Sequence, residues 1–240
     1  MESVTRKILF VLLFFVTNAI QTITGFGGGI LTVPFAMLLV GKNLAAGQVN
    51  LLGLPLSLFI ACKERAYIRW EYLAKIVVFM SLGILLGALV QSYLSFTLLY
   101  KLYGCFILVS VGVLALRKEQ KPFSPGVDIL LLLCAGVIHH FFASGGPLLV
   151  VYLMSRLKQK EAFRATINAA WVPLNILLAI EHWQAGIYTR EFFKMSLVLF
   201  PALLLGMVVG YLLYRRVSSK IFLVSSYTLL LGIGVYILVF

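Results

Sequence analysis

Three kinds of residue in this chain could do chemistry: glycines that interrupt apolar helices, amides near them, and one histidine pair. Gly25-Phe26-Gly27-Gly28-Gly29 lies inside an apolar N-terminal stretch, and a looser copy, Ala143-Ser144-Gly145-Gly146-Pro147, lies inside another. Glycine costs about 1 kcal/mol per residue in a helix interior, so several in succession break a helix. Broken backbone at membrane depth persists only where protein buries it or water reaches it. A helix restarting after Gly29 or after Gly146 offers unpaired N–H groups and about half a positive charge. Such a start is an anion site, and glycine has no Cβ to hold the anion away. Two opposed starts suit a tetrahedral or pyramidal oxyanion. The competing reading of the glycines is close helix packing through small residues.

Side chains beside the breaks can complete such a site. Asn18, Gln21, Thr22 and Gly25 share one face of the first arm, at i, i+3, i+4 and i+7. Asn50 and Asn168 open corresponding helical runs ahead of Pro55 and Pro173, and Asn175 follows the second proline. Their amides can donate to an oxyanion without a fixed charge, or serve as polar glue between helices. His139 and His140 are adjacent and point about 100° apart on a helix. They lack the i, i+4 spacing and the Cys, His or carboxylate neighbours of a metal site, so no metal and no cofactor is expected. One histidine is expected to face the cavity and the other to pack elsewhere. The expected substrate-binding set is Gln21, Thr22, Gly27, Gly28, Gly29, Asn50, His139, Ser144, Gly145, Gly146, Asn168 and Asn175. No catalytic residue is assigned: the chain has no GxSxG elbow and no HExxH pair, so it does not read as an enzyme.

The elements that must position these residues are membrane helices. The chain is 62% hydrophobic and 12% charged, with a mean hydropathy of +1.04. Runs nearly free of charge such as 76–90, 98–116 and 192–213 approach or exceed the roughly 20 residues that span a bilayer. Porin strands are shorter and alternate. The net charge of +12 is carried largely by short loops, the positive-inside pattern of a multi-pass cell-membrane protein; no nucleic-acid partner is expected. Cys62, Cys105 and Cys134 share no pairing or metal spacing. Arg6-Lys7 precedes an apolar run without a signal-peptide cleavage site, so this segment is expected to stay in the mature protein.

Eight apolar segments can be marked, near 8–40, 44–62, 72–93, 97–116, 127–155, 162–181, 191–214 and 218–240. The polar stretch 117–126 separates an N-terminal repeat, 1–116, from a C-terminal repeat, 127–240. Gly28-Gly29 falls on Gly145-Gly146 at an offset of 117, and Asn50-x4-Pro55-Leu56 on Asn168-x4-Pro173-Leu174 at 118. Arg69–Tyr72 approximates Thr189–Phe192 at 120, and Gly83-x3-Gly87 matches Gly206-x3-Gly210 at 123. Eight full crossings distribute Lys and Arg almost evenly between the two sides, 11 against 9. Folding segments one and five back at their glycines gives 6 against 14, the expected bias. That arrangement inverts the two halves. Arms of about 13–18 residues, or roughly 20–27 Å, suit hairpins that reach mid-membrane. The expected fold is therefore an all-α polytopic membrane protein of two inverted four-segment repeats. Each has a glycine-broken, re-entrant first segment and three transmembrane helices; both termini lie outside.

Gly27-Gly28-Gly29-x3-Val33-Pro34, followed by Ala45-Ala46 and a polar helix start, resembles the sulfite exporter TauE/SafE family of membrane permeases. The likeness covers nearly the whole chain; the copy at 139–151 departs from it, with Pro147 directly after the glycines and Val151 where the first half has Pro34. The resemblance implies a permease for small anions such as sulfite or sulfonates, and a homodimer. All eight acids lie near segment ends or in loops, so the embedded carboxylate of a proton relay is missing. An anion leaving an inside-negative cell gains about 2.3 kcal/mol per charge per 100 mV, so export needs no coupling ion. Arg156, Lys158, Lys160 and Arg164 could gather anions at the cytoplasmic mouth, or simply set topology. The readings from other classes are an intramembrane enzyme using His139 or His140, and a non-transporting membrane assembly factor.

Overall fold

Apolar segments in lipid must satisfy their backbone internally, and the chain accordingly forms helices. The computed structural model describes residues 2–91 and 122–239, with scattered positions between 93 and 112. About half of the segment expected at 97–116 and half of the linker 117–126 fall outside the described residues. Among the described residues there are nine α-helices and no strand. They are α1 (Glu2–Thr24), α2 (Gly28–Val40), α3 (Lys42–Lys63), α4 (Trp70–Val90), α5 (Pro125–Phe142), α6 (Gly146–Met154), α7 (Lys160–Gln184), α8 (Arg190–Tyr214) and α9 (Ser219–Val239). A 3-10 turn, Arg65–Tyr67, links α3 to α4. Six of these helices, α1, α3, α4, α5, α7 and α8, are long and apolar enough to cross a membrane. Their outer faces, for example Leu82, Leu85 and Leu89 of α4 and Leu197, Leu205 and Val208 of α8, are exposed and apolar. Such faces are suited to lipid.

Both glycine breaks turn the chain back on itself. Thr17 and Thr32 join hydroxyls at 2.6 Å, whereas 15 residues of unbroken helix would hold them about 22 Å apart. Gly25 and Gly27 make the turn at φ 83° and 92°, a left-handed backbone that glycine adopts without strain. In the second hairpin Asp128, in the first turn of α5, pairs with Arg156 just beyond α6. The turn here uses Ala143 at φ 48°. The hairpins are lopsided, and two arms depart from the 13–18 residues expected from the sequence: α1 has 23 residues against 13 in α2, and α5 has 18 against 9 in α6. The difference at α1 arises because its polar first turn, 2–7, continues the helix beyond the apolar run. The long arms alone could cross a bilayer; the short ones could not.

Small residues let each long arm seat on a helix from the other half of the chain. A Cβ on Gly206 would come within 2.8 Å of the Phe15 carbonyl, and one on Gly210 within 2.6 Å of the Ala19 carbonyl, so α1 lies directly on α8. A Cβ on Gly83 would collide with the Leu133 carbonyl and one on Gly136 with the Met80 carbonyl, so α5 lies as directly on α4. Between these pairs α3 and α7 run antiparallel. Glu64 meets Arg164 at one end, Asn50 Nδ2 donates to the Asn175 carbonyl at 3.3 Å in the middle, and Ala46 clusters with Leu178 towards the other end.

Candidate functional site

The two hairpin tips meet. Trp171 Nε1 donates to the Gly25 carbonyl at 3.2 Å, and a Cβ on Gly29 would lie 2.8 Å from the Ala143 carbonyl. One on Gly146 would lie 3.1 Å from Ile30 Cδ1. Between the tips is a cavity of about 30 Å³, walled by Gln21, Phe26, Gly27, Gly29, Ile30, Val49, Gly53, His139, Ala143, Ser144, Gly146, Trp171 and Asn175. Its volume holds about two waters. Helix α2 begins at Gly28 and α6 at Gly146, two residues and one residue earlier than the sequence suggests. Their opening N–H groups lack intrahelical acceptors. Pro147, at the start of α6, removes only an amide that the helix would not have used.

Seven of the twelve residues singled out in the sequence wall this cavity: Gln21, Gly27, Gly29, His139, Ser144, Gly146 and Asn175. Gly28 backs it, with any Cβ there colliding with the Gln21 side chain, and the Gly145 amide donates to His139 Nδ1 at 3.4 Å. The other three sit elsewhere. Thr22 turns its hydroxyl to the Asn18 carbonyl at 2.7 Å, because a threonine at a helix's end readily bonds back one turn. Asn50 and Asn168 lie in the α3–α7 seam, Asn168 donating to the Arg164 carbonyl at 2.8 Å. His139 is buried and stacks on Trp171 with ring centroids 5.3 Å apart. With Nδ1 accepting, the proton belongs on Nε2, which has no protein partner. His140 points away, with Nδ1 2.9 Å from Glu181 and Nε2 3.3 Å from Gln91. His139 walls the tip cavity as expected, but His140 lines the separate vestibule instead of being packed away; the carboxylate beside His140 is a partner the sequence reading did not find.

Reading along α7 gives what spacing alone could have shown. Arg164, Asn168, Trp171, Asn175, Leu178 and His182 recur at intervals of four and three, and so occupy one helix face. All six are buried. On α3 the positions 118 residues earlier, Ala46, Asn50, Gly53, Ser57, Ile60 and Glu64, make the facing stripe. Unpartnered buried polar atoms concentrate along this seam: Asn50 Oδ1, Ser57 Oγ, Glu64 Oε2, Arg164 Nη2, Asn168 Oδ1 and His182 Nδ1. Buried polar groups without protein partners are rare, and here they line one seam.

The two ends of the seam differ. Beyond His182 it opens into a vestibule of about 690 Å³ that includes Lys42, Ala46, Gln91, His140, Glu181 and His182. At the opposite end Arg164, only 1% exposed, fills the seam. Its guanidinium pairs with Glu64, donates through Nε to the Thr22 carbonyl at 2.7 Å and lies 4.0 Å from the Tyr214 ring centroid. Burial pushes the Glu64 carboxyl above the ordinary carboxylate range, and the pull of Arg164 only partly offsets it. Arg164 is therefore neither a loose surface charge nor a mere topology signal. It closes this end.

The family model described as "Sulfite exporter TauE/SafE" matches residues 9–237. A probable inner membrane transporter protein, TsaS of Comamonas testosteroni, is 27% identical over 203 residues, covering 81% of this chain and 82% of its own. No solved structure matches. The chain is a multi-pass membrane protein that belongs to the sulfite exporter TauE/SafE family.

Proposed function

We propose that the protein is a permease exporting small sulfur oxyanions or organosulfonates, which bind between the two hairpin tips. The observation that carries this reading is the pairing of two helix starts, Gly28 and Gly146, at one polar cavity. Each contributes unpaired N–H groups and positive dipole. His139 Nε2, Asn175 and Gln21 add uncharged donors that bind weakly enough to release. The cavity as it stands is smaller than a three-oxygen anion, so loading requires the tips to part. Glycines at the contacts permit this without a side chain in the way.

Two inverted halves, 1–116 and 127–240 around the linker 117–126, account for how the hairpins come to oppose each other. In support, each long arm seats on a glycine pair of the other half, Gly206 and Gly210 for α1 and Gly83 and Gly87 for α5. The facing stripes of α3 and α7 are related by 118 but run in opposite order, so that Glu64 meets Arg164 and Ala46 meets Leu178. Re-entrant hairpins place Glu64, Asp128, Arg156, Arg164 and Lys160 on one basic face, the cytoplasmic one by the positive-inside rule. TsaS is a probable inner membrane transporter, and the same membrane suits this chain. A homodimer fits the family. Electrical driving force favours export by about 2.3 kcal/mol per charge per 100 mV.

The test is flux into and out of proteoliposomes for sulfite, sulfate, thiosulfate and methanesulfonate. Gly28→Leu should abolish it and leave the folded protein detectable by size-exclusion chromatography; undiminished flux would sink the tip site. One observation favours a second reading, import coupled to protons: the His140–Glu181 pair stands in the vestibule. Transport by His140→Gln that loses its dependence on an imposed pH gradient would select it over uniport.

A further inference from the structure

We propose that Arg164 is a second anion station, on the basic face of the hairpin site, and that Glu64 occupies it in place of the transported oxyanion. The inference rests on the permease reading above. The guanidinium is buried, yet only part of its donor capacity is used: Nε reaches the Thr22 carbonyl and Nη1 reaches Glu64, while Nη2 has no partner. Glu64 is likewise half-satisfied, with Oε2 unpartnered. A planar guanidinium presents a fork that matches two oxygens of a carboxylate or an oxyanion. Here the fork is engaged through one nitrogen, which leaves the second as a handhold for an incoming ligand.

The location gives the station its role. Arg164 begins the α7 stripe that continues through Asn168 and Trp171 to Asn175 in the cavity wall. Its Cγ and the Asn168 amide lie 3.3 and 3.1 Å from where a Cβ on Gly25 would be, at the first hairpin tip. An anion moving between the cavity and the basic face must pass this guanidinium. Glu64 arrives from the end of α3, a different element, so exchanging it for a diffusible anion separates the two helix ends without leaving either arginine or anion unpaired. Arriving substrate thus unlocks the closed end.

The groups facing the pair are few. Lys160 and Glu161 come from the same helix as Arg164 and act on Glu64 with opposite sign. Tyr214 of α8 covers the guanidinium face, and α1 contributes a carbonyl. Arg164 is thus the cation that an anion can reach on shedding Glu64.

The test measures thermal unfolding of detergent-solubilised full-length protein in sulfate or methanesulfonate against chloride at equal ionic strength. Both probe anions stay unprotonated across the range used. In Glu64→Ala the vacated place should be filled by the probe, raising Tm by several degrees more than in wild type. The Glu64→Ala, Arg164→Gln double variant should lose that gain. Should Glu64→Ala not fold, Glu64→Gln keeps the shape and removes the charge, and the same excess is expected. Wild type supplies a third measurement: the anion-specific gain should grow from pH 7.5 to 5, as Glu64 becomes protonated and releases Arg164. Equal anion gains with and without Arg164, or no excess in the variants and no pH dependence in wild type, would overturn the station and leave a structural ion pair only. Proteoliposome flux of wild type addresses the tip site separately, so loss of one reading is distinguishable from loss of the other.

Discussion

The two ends of the α3–α7 seam are built from matching positions and behave differently. At the basic end Arg164 lies opposite Glu64; at the other, the positions offset by 118 are Ala46 and His182. The first end is filled by a stacked, paired guanidinium. The second is a vestibule of about 690 Å³ with Ala46 and His182 in its wall. Two exchanges, Ala46 for Arg164 and His182 for Glu64, distinguish the sealed end from the open one. Openness at one end is accounted for by the side chains at these two positions. It also shows how one end can be controlled without touching the other: the sealed end holds a buried ion pair, Glu64–Arg164, that a ligand can replace.

Removing the plug should have the largest consequence. Arg164→Ala leaves a buried carboxylate without its cation, and breaking such a pair by removing one partner costs about 3–5 kcal/mol. Unfolding midpoints in detergent should fall accordingly. A cysteine placed at Asn168, in a background without Cys62, Cys105 and Cys134, should then react with impermeant thiol reagents from the basic face. A fully protected cysteine in the Arg164→Ala background would break the comparison, since something other than this side chain would be sealing the end.

The converse change should cost little stability and much transport. Ala46→Arg adds a long cation beside a vestibule with room for it, so the unfolding midpoint should move by an amount corresponding to less than about 1 kcal/mol. Flux should nevertheless fall at least tenfold, equivalent to about 1.4 kcal/mol, because both ends would then be obstructed. Undiminished flux through Ala46→Arg would show that the vestibule is not on the path.

Much of this was legible in the residues, and the misses have physical causes. The breaks at Gly25–Gly29 and Gly145–Gly146 were readable because glycine runs have one consequence in a helix. The seating of α1 on Gly206 and Gly210 was not: small residues announce a close contact but not its partner. Gln21, His139 and Ser144 could be placed at the tips from their distance to the glycines, and Asn175 was marked only by its place just after the repeated Asn-x4-Pro. Thr22 could not be excluded, since only the rotamer decides whether a hydroxyl faces a cavity or its own helix. Arg164 and Trp171 were missed for opposite reasons. The arginine sat in a basic cluster that topology already accounted for, and the tryptophan looked like ordinary apolar bulk. The four-three spacing from Arg164 to His182 was the available signal for both.

At the open end the ion pair should matter less than its counterpart at the sealed one. Glu181 is 22% exposed and His140 11% in their side chains, so solvent screening limits the pair to about 0–1 kcal/mol. Glu181→Gln retains a hydrogen-bonding carbonyl for His140 and should shift the unfolding midpoint by no more than this. A loss comparable to that of Arg164→Ala would mean that this end, too, is held by charge, and the contrast between the ends would fail.

The smallest effect expected is at the middle of the seam, and its sign is what matters. Ser57 Oγ is buried without a protein partner. If that hydroxyl is dry, it carries a desolvation cost, and Ser57→Ala should stabilise the protein by up to about 1–3 kcal/mol. If water threads the seam, the hydroxyl is already satisfied and the same substitution should be neutral or destabilising by about 1 kcal/mol. The hydrated alternative is expected here, because Asn50 Oδ1 and Asn168 Oδ1 share the seam and also lack partners. Three neighbouring dry orphans would together cost more than a membrane helix pair has reason to carry. A clear gain in unfolding temperature for Ser57→Ala would show a dry seam, and with it that water does not connect the vestibule to Arg164 in this conformation.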